Sequence, residues 1–184
     1  MTWLGIDYGS KLAGTTAVAF LQNDNIIIVQ SRKKQDADAM ITELVESLNP
    51  DSIFIDVPLS LPAAYLNPSK HSDYFFRDCD RTLSAMSPMF LGGLTARGMK
   101  LKAELNICGI AVYETYPSAI ARELGISDWL TVHHEITRLF RNTCIQPPIN
   151  KHQADALLCF LSGFRFQNHT AQIVGNASEG LIYI

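Results

Sequence analysis

The sequence predicts an α/β domain with a mixed sheet flanked by helices, and two observations support this prediction. Three short strands separated by polar turns come first, which indicates an antiparallel meander. Strands and helices then alternate, which is typical of crossover connections between parallel strands. With 184 residues, of which 47% are apolar and 18% charged, the chain has the length and composition of a single globular domain over 1–184.

The predicted meander is the most regular part of the chain. Residues 2–7 are largely apolar up to a final aspartate, residues 14–21 are rich in Thr, Val, Ala and Phe, and residues 26–29 are Ile and Val. Such β-branched and aromatic residues favour strands. The polar segments 8–11 and 22–25 supply the two turns.

Helices and further strands follow. Apolar residues recur at helical spacing over 36–48, behind an aspartate cap. Residues 57–76 contain prolines and little periodicity, which predicts a long loop, and long ordered loops tend to be functional. The other predicted elements are a strand over 52–56, a helical region over 78–105 broken at Ser87 and Pro88, a strand over 110–114, helices over 117–124, 129–141 and 151–166, and an edge strand over 180–184.

Four carboxylates lie where predicted elements begin or end. Asp7, Asp56 and Glu114 each follow the apolar residues of a strand, and Asp155 lies in the first turns of the last helix. A carboxylate near an apolar strand is costly to bury unless it is paired or binds a cation. Several together repel one another, and Mg²⁺ relieves that repulsion through oxygen ligands. The layout therefore predicts a divalent-metal site for phosphodiester chemistry.

Composition and charge limit the other possibilities. The net charge of −3 argues against a broad nonspecific nucleic-acid surface, since such surfaces are usually basic. The candidate basic patches are residues 32–34 and Arg97, Lys100 and Lys102, with solvated surface charge as the alternative. Four cysteines without CxxC spacing indicate free thiols in a reducing compartment. No stretch approaches the roughly 20 apolar residues of a membrane span, and no signal peptide is visible. We therefore expect a cytoplasmic protein with no membrane partner.

Five sequence blocks carry a resemblance to known proteins. The segment GIDYGSKLAG (5–14) resembles the opening of RNase H-like enzymes, most of all the RuvC-type junction resolvases. The later blocks are IDVPLSLP (55–62), RDCDR (77–81), YETYP (113–117) and KHQADAL (151–157). In this order they resemble a little-characterised family of predicted nucleases with an RNase H-like fold, over nearly the whole chain.

This resemblance implies a fold and a set of residue roles. The fold would be a mixed five-stranded RNase H-like sheet whose first three strands are antiparallel. Asp7, Asp56 and Asp155 would bind the metal ions, and Glu114 would be a further ligand or a base beside them. His152 replaces an acid of the all-acid pattern and lies on the same helix face as Asp155. It could be a metal ligand, a proton shuttle or a phosphate contact, and a half-exposed histidine at the helix start is the alternative.

Three basic residues are the candidates for substrate binding. Lys11 directly follows the first motif, and Arg77 and Arg81 lie four residues apart. The planar guanidinium group suits phosphate. A structural ion pair with Asp78 or Asp80 is an equal alternative for the arginines.

The sequence thus leads to a metal-dependent nuclease that hydrolyses phosphodiester bonds in DNA or RNA with Mg²⁺ or Mn²⁺. Junction resolvases act as dimers on two-fold symmetric substrates, which keeps a homodimer open. The alternative is a non-catalytic nucleic-acid-binding or regulatory module on the same fold, which the acidic net charge favours. A third hypothesis is a phosphotransferase related to the actin-like ATP-binding group, although such proteins need two domains around a nucleotide cleft.

Overall fold

A computed structural model describes residues 2–184 and contains one mixed sheet. Its strands are β1 (Trp3–Asp7), β2 (Ala17–Gln22), β3 (Asn25–Gln30), β4 (Ser52–Asp56), β5 (Ala111–Thr115), β6 (Cys144–Ile145), β7 (Ile173–Asn176) and β8 (Gly180–Tyr183). Across the sheet their order is β6-β3-β2-β1-β4-β5-β8-β7. The first three strands form an antiparallel meander with β2 in the middle, whereas β4, β5 and β8 run parallel to β1.

Helices cover both faces of this sheet. They are α1 (Ala37–Leu48), α2 (Asp78–Leu83), α3 (Pro88–Leu91), α4 (Gly93–Ile107), α5 (Pro117–Glu123), α6 (Val132–Leu139) and α7 (Lys151–Gln167). The predicted cap of α1 is present, because the Asp36 side chain accepts hydrogen bonds from two backbone amides of the first turn. The Asn150 side chain caps α7 by accepting from the Gln153 amide at 3.1 Å. Both caps satisfy amides that a helix start leaves without partners.

Two apolar cores lie on opposite faces of the sheet. One contains Leu157 and Phe160 of α7, and the other contains Ile41 of α1 and Leu101 of α4. Since side chains alternate between the faces of a strand, β2 contributes alternate residues to the two cores. Helix α7 therefore packs on one face alone, directly over β1.

The contact between α7 and β1 is a contact of main chains. A Cβ atom added at Gly5 would lie 2.1 Å from the backbone nitrogen of Phe160 and 2.7 Å from the carbonyl oxygen of Ala156. The Trp3 indole donates a hydrogen bond to the carbonyl oxygen of Phe160 at 2.9 Å. Residue 5 must therefore be glycine for the helix to approach this closely.

The structure confirms the predicted fold class and corrects some of its details. The prediction of five strands is wrong, because the sheet has eight strands within the described residues. The segment predicted as an edge strand, 180–184, forms β8 between β5 and β7, so β7 is the edge. The predicted helical region over 78–105 is divided into α2, α3 and α4. Among the helices of residues 2–184, none combines the length and apolar character needed to cross a bilayer.

Candidate active site

Two of the predicted carboxylates are neighbours at the carboxyl-terminal ends of two central strands. Asp7 ends β1 and Asp56 ends β4, and the two residues are register partners in this parallel pair. Register partners point to the same face, and neighbouring strands lie about 4.8 Å apart. Asp7 is 9% exposed, and Asp56 is partly exposed. Their side chains therefore share the face of the sheet that α7 covers.

Helix α7 adds the third carboxylate and the histidine. Its axis runs antiparallel to β1, so that its first turns lie at the end of β1 that carries Asp7. The Nδ1 atom of His152 lies 2.7 Å from Oδ2 of Asp7. Asp155 follows one turn later and its side chain is 14% exposed. The predicted set of Asp7, Asp56, His152 and Asp155 is thus gathered at one place.

Sequence reasoning missed one residue of this site. Lys151 is the first residue of α7, and its Nζ lies 2.5 Å from Oδ2 of Asp155. The helix dipole disfavours a cation at this position, so the ion pair with Asp155 offsets an unfavourable location. The spacing of four residues between Lys151 and Asp155 was a visible signal, but the same spacing is common on solvated helix faces.

The carboxylates influence one another strongly. Burial raises the pKa of Asp56 well above its usual range, and the charges of Asp7 and Asp155 raise it further. Burial also raises the pKa of Asp155, although Lys151 acts in the opposite direction. The hydrogen bond to Asp7 raises the pKa of His152. The Asp56 carboxylate receives no hydrogen bond from any described residue, so its negative charge is the least compensated of the three.

The donor chemistry suits a hard divalent cation, although the side chains are engaged elsewhere. Within residues 2–184, no three histidine, cysteine or acidic side chains are already arranged as a metal-binding group. Asp7 is instead paired with His152 and Asp155 with Lys151. Three carboxylates with an imidazole offer the oxygen and nitrogen ligands that Mg²⁺ or Mn²⁺ accepts. Lys151 and, when protonated, His152 provide part of the charge compensation that a metal would provide.

Glu114, the fourth predicted ligand, lies on the other face of the sheet. Its register partner on β4 is Ile55, the residue before Asp56, so its side chain points away from α7. Its Oε1 and Oε2 accept hydrogen bonds from Arg77 at 2.6 and 2.7 Å, and Oε2 also accepts from the Leu59 amide at 2.8 Å. Glu114 is thus the centre of a separate buried ion pair, and its assignment as a metal ligand has no support from the geometry.

Arg77 is wholly buried, which contradicts its predicted role in substrate binding. It has 0% exposure and also donates to both oxygens of Asp80, from Nη2 at 2.6 Å and from Nε at 3.0 Å. The structural alternative raised from the sequence, an ion pair with Asp80, is therefore correct. Removal of Arg77 would leave two carboxylates buried without their partner.

The other two predicted substrate contacts lie at the surface. Lys11 pairs with Asp36 at 3.0 Å, and both side chains are well exposed. Arg81 pairs with Asp73 and lies over the Phe76 ring, 4.7 Å from its centroid. Neither residue contacts the carboxylates at the end of β1. Lys11 lies four residues beyond Asp7, close enough along the chain to remain a candidate.

Comparisons with known proteins support the fold. No family model and no curated protein matches the chain. Among solved structures, RuvC of Thermus thermophilus superposes with a TM-score of 0.51 at 15% identity, covering 92% of this chain and 98% of that one. The chain has an RNase H-like fold. The yeast mitochondrial Holliday junction resolvase superposes with a TM-score of 0.50 at 14% identity, covering 91% of this chain and 79% of that one.

Proposed function

We propose that this protein is a divalent-metal-dependent nuclease that hydrolyses phosphodiester bonds in DNA or RNA. The observation that carries the proposal is the group of Asp7, Asp56 and Asp155 at one edge of the sheet, on a fold shared with two resolvases of nucleic-acid junctions. Two of the three carboxylates are already paired with basic side chains of the protein, Asp155 with Lys151 and Asp7 with His152. A site that collects negative charge in this way is suited to binding cations.

Asp7, Asp56 and Asp155 would hold Mg²⁺ or Mn²⁺. When bound, such a cation supplies Lewis-acid stabilisation of the phosphate and lowers the pKa of a bound water. Asp56 would gain most from the cation, because its own charge is disfavoured by burial and by Asp7 and Asp155.

His152 would act as a general acid or a general base. Its Nδ1 faces Asp7 at 2.7 Å, which leaves Nε2 for water or substrate, and 42% of its side chain is exposed. The raised pKa of His152 favours the protonated ring. Protonated, the ring can give a proton to the sugar oxygen that leaves phosphorus while a water oxygen bonds to phosphorus. Neutral, it can accept the proton of that water.

The substitution Asp7→Asn tests the metal site. Asparagine keeps the shape of the side chain and an oxygen that can accept from His152, so we expect the fold to persist. Mn²⁺ binding by calorimetry and cleavage of labelled DNA and RNA should both fall to background. Asp24→Asn is the matched control, because Asp24 is exposed in the β2–β3 turn with φ of 59°, a conformation that asparagine tolerates. The proposal fails if Asp7→Asn binds Mn²⁺ and cleaves as the wild type does.

The non-catalytic binding module is the second candidate, and one observation favours it. No three potential metal ligands among the described residues are in place for an ion. If the wild type and Asp7→Asn bind nucleic acid equally, and neither cleaves it with Mg²⁺ or Mn²⁺, this alternative replaces the nuclease.

A further inference from the structure

A cluster of basic side chains lies at the same end of the sheet as the acidic site, where β1 and β3 end. Asp7 is the register partner of Ala17, and Ala17 is the register partner of Gln30, the last residue of β3. Two strand spacings, about 10 Å, therefore separate the ends of β1 and β3. Lys11 and the segment Arg32–Lys34 extend from these ends. We call these four residues the basic rim.

The charges of the basic rim are largely uncompensated. Arg32, Lys33 and Lys34 are exposed and form no ion pair with any residue of 2–184, while Lys11 alone is paired, with Asp36. A cleft of about 690 Å³ opens beside the segment against α1, and Glu43 is the one acidic residue that lines it. The rim therefore presents a net positive surface, although the whole chain carries a charge of −3.

The two loops that carry the basic rim are fixed to each other. The Lys34 amide donates to the carbonyl oxygen of Leu12 at 2.8 Å, and the Ala37 amide donates to that of Lys11 at 2.9 Å. A Cβ atom at Gly14 would lie 2.8 Å from the Lys33 nitrogen, so the loops touch through their main chains. Solvated lysines on a mobile loop would need no such arrangement.

Lys34 has a backbone conformation that side chains rarely adopt. Its φ is 71°, in the left-handed region where glycine or asparagine is usual. Such a conformation costs free energy and persists only where the surrounding contacts enforce it. Here a lysine occupies the position, and the hydrogen bond from its amide to the Leu12 carbonyl oxygen holds its backbone in place.

The basic rim is also joined to the helix of the acidic site. The Gln30 side chain donates to the carbonyl oxygen of Gly14 at 2.8 Å, and its oxygen accepts from the side chains of Asn150 at 2.9 Å and Gln153 at 3.0 Å. Asn150 and Gln153 flank His152 at the start of α7. Hydrogen bonds of Gln30 therefore connect the loop that carries Lys11 to the start of α7.

We propose that the basic rim binds the sugar–phosphate backbone of the nucleic-acid strand whose scissile phosphate lies at the acidic site. This inference rests on the proposed function and assigns its substrate path, from Asp7 across the ends of β2 and β3. The ends of β1 and β3, about 10 Å apart, span about three nucleotides of duplex at 3.4 Å each. The partner is identified by charge complementarity, since regularly spaced phosphates match the separate ammonium and guanidinium groups of the rim.

The test measures binding of nucleic acid without cleavage. Fluorescence anisotropy in EDTA gives the dissociation constant of a labelled oligonucleotide, as single strand and as duplex. The measurement is repeated at KCl concentrations from about 50 to about 300 mM, because phosphate contacts weaken steeply in this range. The variants are Lys33→Gln, Lys34→Gln and the double substitution. The control is Arg141→Gln, because Arg141 is exposed and precedes β6, which pairs with the opposite end of β3.

Each lysine lost should reduce the slope of log affinity against log salt by about 0.7 for the single strand and about 0.9 for duplex. At 0.1 M salt this corresponds to about five-fold weaker binding of the single strand per lysine. The control should leave the slope unchanged. An unchanged slope in the double variant, an equal loss in Arg141→Gln, or no binding by the wild type would each overturn the proposal. The nuclease proposal is judged separately, by metal binding and cleavage in Asp7→Asn.

Discussion

Replacement of Lys151 by methionine should strengthen metal binding. Lys151 holds the Asp155 carboxylate at 2.5 Å, where a bound cation would need the same oxygens. With a metal–oxygen distance of about 2.1 Å, an unmoved Nζ would lie at most about 4.6 Å from the metal. The repulsion between a dication and an ammonium group at this distance is about 1.8 kcal/mol in water, a factor of about 20.

The gain in metal affinity is smallest if the Lys151 side chain moves away when the metal binds. The Lys151 side chain is 65% exposed, so it can turn away and lose only its ion pair with Asp155. A partly exposed pair contributes about 0.2–1 kcal/mol. The Lys151→Met variant should therefore bind Mn²⁺ about 1.4-fold to twenty-fold more tightly than the wild type. Methionine is a good helix former and relieves the unfavourable cation at the helix start, so the fold should be retained.

Calorimetric titration of Mn²⁺ into the metal-free protein measures this difference directly. Lys100→Met is the matched control, because Lys100 pairs with Glu104 at the same helical spacing on α4, where both side chains are exposed. The control should bind Mn²⁺ as the wild type does. An unchanged or weaker affinity for Mn²⁺ in Lys151→Met would refute the reasoning that Lys151 competes with the metal ion for the Asp155 carboxylate.

Three further predictions concern stability, thiols and pH. Arg77→Met should lower the free energy of unfolding by about 3–5 kcal/mol in urea denaturation, since it leaves buried carboxylates unpaired, whereas Arg81→Met at the surface should cost about 1 kcal/mol or less; equal losses would contradict the burial of Arg77. Native protein should react rapidly with Ellman's reagent at two of its four thiols, because two are exposed and two are buried, and burial raises the pKa of Cys79 to about 12. Rapid reaction of all four thiols would contradict the burial of Cys79 and Cys159. In metal-free protein, Asp7 raises the pKa of His152, so the stability of wild type relative to His152→Gln should be greatest below pH 6.5 and should decline as pH rises through the folded-state pKa; a difference that grows with pH would have the wrong sign.

The sequence was sufficient for most of the fold because its signals are local. The cap and apolar spacing of α1, the strands that end at Asp7 and Asp56, and the long helix α7 all follow from neighbouring residues. The strands β6 and β7 escaped prediction for physical reasons. β6 has two residues, and β7 contains Gly175 with a φ of 107°, so neither shows the alternation of a longer strand.

The candidate site was less predictable because it depends on register. Asp56 and Glu114 both follow apolar strand residues in the sequence, yet Glu114 aligns with Ile55 and points to the opposite face. A shift of one residue between paired strands reverses the face of every side chain, and nothing local reveals that shift for strands separated by 54 residues. Arg77 was ambiguous for a related reason, because Asp80 is three residues away whereas its second partner, Glu114, is 37 residues away.

The glycine at position 5 fixes the distance between two carboxylates of the candidate site, Asp7 and Asp155. Asp7 lies two residues after Gly5, and Asp155 is adjacent to Ala156, whose carbonyl oxygen faces Gly5. The separation of these two acids is thus set by main-chain contact and not by the size of any intervening side chain. Substitutions within either apolar core can accumulate without altering that separation, whereas a single methyl group at position 5 would move the helix outward. The geometry of the site can therefore be inherited unchanged while the sequence around it diverges.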